Sequence, residues 1–151
     1  MLAVAAASAA NVAAIQALQA GSLGFGLSGG GFVVYYLVGV VDALIALGII
    51  IPGQSKIAGA SAGALASTAV CAGLNGQQLR QQAFSLADLC QVPGNCGGVL
   101  DAKVKQLLNG FVVNDAYVKC NNTGYLSITT GDITSPRNLL VGTYTSNADL
   151  K

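Results

Sequence analysis

Apolar residues come in blocks along this chain, separated by short runs of glycine and other turn formers. Residues 23–27 (LGFGL) put apolar side chains at alternate positions, which predicts a short strand. Ser28-Gly29-Gly30-Gly31 then breaks regular structure, because consecutive glycines reach conformations closed to other residues. Residues 32–51 (FVVYYLVGVVDALIALGIII) predict an apolar helix ending near Gly48 or Pro52. A second short strand is expected at 56–58, followed directly by Gly59-Ala60-Ser61-Ala62-Gly63 and a helix of small residues from Ala62 to about Gly73.

Further along, Leu79, Ala83, Leu86 and Ala87 recur near a 3.6-residue period and predict an amphipathic helix over 77–89. A Pro/Gly loop at 90–98 leads to another helix over 100–108. Its apolar face is Leu100, Val104, Leu107 and Leu108, with Lys103 and Lys105 towards solvent. Residues 125–130 and 138–144 read as strands joined by a turn-rich connection. The order β-α-β-α-α-α-β-β predicts a layered α/β fold. No repeat and no linker divides the chain, so residues 22–151 are read as one domain behind an Ala-rich segment at 1–21. That segment reads as a helix, with a signal peptide as the alternative because it has small-residue sites but no positive n-region.

Composition narrows the chemistry. Of 151 residues, 53% are hydrophobic and 9% charged, against about 25% charged in ordinary domains. A net charge of +1 with no basic cluster excludes the electrostatic footprint of nucleic-acid binding. With no histidine, Ser-His-Asp, Cys-His and His-ligated metal chemistry are excluded within this sequence. None of the four cysteines forms a CxxC pair, which argues against a zinc ribbon. Cys71 reads as a core residue, and Cys90 and Cys96 bracket a loop that a disulfide could close in an oxidising compartment, with buried free thiols as the equal alternative. Asn121-Asn122-Thr123 is a glycosylation sequon that matters only if the chain is secreted. The 20 residues of 32–51 have the length of a membrane span, but Asp42 lies at their centre, where a lone carboxylate costs about 2.5–3.5 kcal/mol.

Two glycine motifs carry the chemical signal. Gly59-Ala60-Ser61-Ala62-Gly63 is a G-x-S-x-G between a predicted strand and helix. On such a turn the Ser61 hydroxyl projects into a cleft, and Gly59 and Gly63 let neighbouring backbone approach. The following helix would point its N-terminus at the reacting centre and favour negative charge there. Ser28-Gly29-Gly30-Gly31 could form a nest of backbone N–H groups for an oxyanion. A dinucleotide reading fails because Val34 holds the last G-x-G-x-x-G position, and no P-loop motif is present. A nucleophile and a nest together point to acyl transfer.

Residues 28–49 followed by KIAGASAGALAS at 56–67 resemble the patatin-like phospholipases. Within that family the pattern of Gly29, Gly31, Phe32, Tyr36 and Gly39, then GASAGAL, is similar to the adipose triglyceride lipase branch. The resemblance implies a three-layer α/β/α fold, Ser61 as nucleophile, Gly29, Gly30 and Gly31 as the oxyanion hole, and a Ser-Asp dyad that needs no histidine. It implies no cofactor, a lipid ester substrate, and peripheral contact with a membrane or lipid-droplet surface. The family's acid sits in an Asp-Gly-Gly or Asp-Gly-Ala motif, and no Asp of this sequence precedes a Gly. The sequence ends at Lys151 about where that motif would still lie ahead, so the expectation is a patatin-like fold incomplete at its C-terminus. Asp132 reads as a turn residue bonded to its own backbone rather than a stand-in acid. Val33 and Val34 replace a basic residue and a glycine found in many members.

Three functions compete on this reading. The first is a lipid acyl hydrolase, and the second is a catalytically incomplete fragment that binds lipid or a partner. The third is a small membrane protein spanning at 32–51. The compartment stays open, with a cytoplasmic or lipid-surface location favoured over secretion.

Overall fold

A computed structural model describes residues 9–90, 100–130 and 137–151. Four strands form one mixed sheet in the order β1 (Gly24–Leu27), β2 (Lys56–Ala60), β3 (Gly124–Thr130) and β4 (Arg137–Val141). The first three are parallel and β4 returns antiparallel to β3. The α/β class expected from the element order is therefore what the chain adopts. Helix α1 (Ala9–Gln19) precedes β1, and its Val12 and Ile15 remain exposed.

Register decides which side of the sheet is buried. Phe25 pairs with Ile57, and Ile57 with Gly124; Leu27 pairs with Gly59, and Gly59 with Leu126. Side chains of a strand alternate between faces, so these residues share one face. Helix α3 (Ala62–Cys71) packs on that face against β1, β2 and β3. It can lie close because eight of its ten residues are buried and most are small. Helices α2 (Val34–Ala46) and α4 (Gly76–Cys90) pack beyond it, with α5 (Leu100–Phe111) against α4. On the other face Gly24, Gly26 and Leu140 are exposed.

The apolar stretch that hydropathy offered as a span is a 3-10 turn (Gly31–Val33) followed by the 13-residue α2, capped by Leu47. Its Val34, Val38 and Val41 enter the core. Asp42, expected to be isolated, is ion-paired with Arg80 from α4. Among the described residues no helix is long and apolar enough to cross a membrane.

Two short helices were not expected, α6 (Ala116–Cys120) and α7 (Asn147–Leu150). Both are only four or five residues long, too brief for a periodic signal. Cys71 lies in the core as expected, and there it is disulfide-bonded to Cys120 of α6, a pairing the sequence did not point to. Both sulfurs are fully buried, and a Cβ on Gly124 would come 2.5 Å from the Cys71 Sγ, so glycine is required beneath the bridge. The state of Cys90 and Cys96, paired or free, the loop between them and Asp132 lie outside the described residues. Asn121 of the sequon binds the main chain of Tyr144: its Nδ2 donates to the carbonyl at 3.1 Å and its Oδ1 accepts from the amide at 2.7 Å.

Candidate active site at the Ser61 turn

Adjacent parallel strands deliver their C-terminal loops to the same edge of the sheet, where ligands of open α/β sheets bind. Here β1 and β2 are neighbours, and Leu27 is level with Gly59. The chain leaving β1 is the Ser28–Gly31 loop, and the chain leaving β2 enters Ser61. Topology therefore brings the two glycine motifs side by side, although about thirty residues separate them in sequence.

Their contact is direct. A Cβ placed on Gly29 would lie 3.1 Å from the Ser61 Cβ, 3.8 Å from its Oγ and 3.4 Å from the carbonyl of Ala60. The two outer glycines of G-x-S-x-G have separate duties. A Cβ on Gly59 would overlap the Gly63 carbonyl and lie 2.5 Å from the Ser67 Oγ. One on Gly63 would overlap the Leu27 carbonyl and lie 2.7 Å from that of Ser28. Gly59 thus lets α3 turn back on β2, and Gly63 lets it press against the end of β1.

Ser61 itself has φ 52° and ψ −120°. Positive φ disfavours an L side chain, and this ψ lies outside the small left-handed well that Asn tolerates. The strand–helix turn imposes the conformation, since α3 begins at the next residue. The Ser61 residue is exposed, and no hydrogen bond from its hydroxyl occurs among the described residues.

Several backbone donors surround it. The amides of Gly29 and Gly30 lie in exposed loop, and neither has a backbone partner among the described residues. The Ala62 amide, the first of α3, is likewise without one, as the opening N–H groups of a helix generally are. Ala62 was not among the residues singled out from the sequence. The signal was present, because the residue after an elbow nucleophile presents its N–H to the reacting centre. Gly31 has φ 55° with open space around it and turns the loop into the 3-10 segment. Gly30 is extended, and its own added Cβ would meet Val33.

Beside Ser61 opens a cavity of about 230 Å³, lined by Gly31, Phe32, Val34, Ala62, Leu65, Leu86, Leu100 and Val104. Apart from Ser61 and main-chain groups, the lining is hydrocarbon and one aromatic ring. Tyr35 is half-buried against the core. Tyr36 is exposed, and neither tyrosine lines the cavity. Phe32 does, stacked on Tyr35 with ring centres 6.3 Å apart. Burial raises the Tyr35 phenol pKa, and the charge of Asp88 adds to this. No carboxylate lines the cavity among the described residues.

No protein-family model, curated protein or solved structure matches the chain at a significant level.

Proposed function

We propose that this chain carries the nucleophile and oxyanion elements of a lipid acyl hydrolase with the three-layer patatin-like fold. The observation that carries the reading is Ser61 in a strained strand–helix turn, packed on Gly29, at the wall of an apolar cavity. A strained residue at a cleft is a reason to look for function there. An exposed hydroxyl on such a turn suits attack on a carbonyl carbon, and an apolar cavity beside it suits an acyl chain.

In this mechanism Ser61 Oγ adds to the ester carbonyl and loses its proton to a base. The carbonyl oxygen becomes an oxyanion, held by the free amides of Gly29, Gly30 and Ala62. Each such donor typically contributes about 2.7–4 kcal/mol to the transition state. The positive end of α3 adds to the same field. Collapse of the intermediate expels the alcohol and leaves the acyl group on Ser61, which water then releases. The resemblance assigns the base to an Asp in an Asp-Gly motif that this sequence does not contain.

A second reading is a chain that binds an acyl group without turning it over, because no carboxylate lines the cavity among the described residues. A fluorophosphonate probe tests the nucleophile. Labelling that maps to Ser61 and disappears in Ser61→Ala is expected, and no labelling, or labelling that survives the change, overturns it. Esterase turnover lost in Ser61→Ala would reject the binding-only reading.

A further inference from the structure

A second cavity adjoins the Ser61 cavity, and the side chains the two share form a floor between them. The second is small, about 20 Å³, and is lined by residues of α2, α3, α4 and α5. Among the described residues, Val34, Leu65 and Leu86 line both cavities. Leu65 stands one turn into α3, its amide bonded to the Ser61 carbonyl at 3.2 Å, and it lines the same cavity as Ser61. Helical side chains lean towards the N-terminus, which carries the Leu65 isobutyl group back over the turn behind Ser61. Leu86 from α4 and Val34 from the start of α2 complete the partition. Those two are 4% and 5% exposed and belong to the core, whereas Leu65 is only half-buried.

We propose that this partition limits the length of acyl chain the site accepts, and that Leu65 is the residue that sets the limit. The inference rests on the reading of Ser61 as an acyl nucleophile. A methylene occupies roughly the volume of a water molecule in the liquid, about 30 Å³. A cavity of about 230 Å³ then holds on the order of eight carbons, so the site selects medium-length acyl groups. Cutting Leu65 to alanine removes three carbons and joins the lower void of about 20 Å³ to the upper one. That admits about three or four more carbons. Phenylalanine at 65 fills the lower part of the upper cavity and shortens the limit.

The test uses n-alkyl fluorophosphonates with chains of about four to fourteen carbons, scored by the rate at which intact mass shows Ser61 modified. Each buried methylene should raise the rate about fourfold, up to a break near eight carbons. The break should move to about eleven or twelve carbons in Leu65→Ala, move shorter in Leu65→Phe, and stay in place in Leu65→Met. Competition of the matching n-alkanoic acids against bound anilinonaphthalene sulfonate reads the same floor without Ser61 chemistry. A break that survives in competition when no probe labels Ser61 overturns the nucleophile and keeps the floor. Labelling at Ser61 with one unmoved break in wild type, Leu65→Ala and Leu65→Phe overturns the floor and keeps the nucleophile. No break in either assay overturns the floor.

Discussion

Replacing Ser61 by glycine should stabilise the chain relative to replacing it by alanine, the reverse of the usual order. The hydroxyl is exposed and without a hydrogen bond among the described residues. Ser61→Ala should therefore stay within about 0.5 kcal/mol of wild type. Alanine keeps a Cβ, and with it the strain of φ 52° and ψ −120°. Strain of this kind costs about 1–3 kcal/mol. Glycine removes it, while its freer unfolded chain takes back about 0.4–1 kcal/mol. The net expectation is Ser61→Gly above Ser61→Ala by about 1 kcal/mol, or about 2–4 °C in Tm for a chain of this size. Urea unfolding followed by circular dichroism measures the difference as a shift in midpoint at constant m. An ordinary exposed position would show glycine below alanine by about 0.5–1 kcal/mol. That order would refute the strained turn and remove the geometric reason for treating Ser61 as a nucleophile.

Other expectations follow from single contacts. Gly63→Ala should lose about 1–3 kcal/mol, because its Cβ would overlap main chain at the end of β1. Gly26→Ala, with nothing within 4 Å of the added carbon, should be neutral or gain up to about 1 kcal/mol; equal losses in urea titrations would show that α3 does not press on β1. The Cys71–Cys120 bridge spans 49 residues of sequence, so Cys71→Ala/Cys120→Ala should lose about 4 kcal/mol on the chain-entropy argument. Wild type unfolding at the same urea midpoint with and without dithiothreitol would show the sulfurs are unbonded. Tyr144 donates its hydroxyl to the carbonyls of Gly124 and Val141, and burial pushes its pKa up to about 12, the nearby charge of Asp149 adding to the shift. Its stabilising share is present in full below the unfolded tyrosine pKa near 10 and is lost as pH rises towards 12. Tyr144→Phe should flatten the fall in stability over that interval, and an unchanged fall would exclude Tyr144 as its source.

The sequence alone determined most of the local structure here. Its glycine runs and apolar periods placed the four strands and the helices α2 to α5 to within a few residues, because turn formers and apolar spacing are local patterns that mark where each element starts and stops. The G-x-S-x-G spacing marked the turn, since Gly59, Ser61 and Gly63 all serve one local bend. Gly63 already needed the tertiary structure to explain it, because what its Cβ would strike is the end of β1, far back in sequence. Asp42 shows the same limit: an acid in the middle of an apolar run looked isolated, and its partner Arg80 lies 38 residues on. So does Cys71, whose partner Cys120 is on a helix too short to leave a period. Only the tertiary structure could set β1 beside β2 and so bring Gly29 onto Ser61, or gather Phe32, Leu65, Leu86 and Val104 around one cavity. Strand order and cavity walls depend on which distant apolar faces bury each other, and a local pattern shows that a face is apolar without showing what it meets.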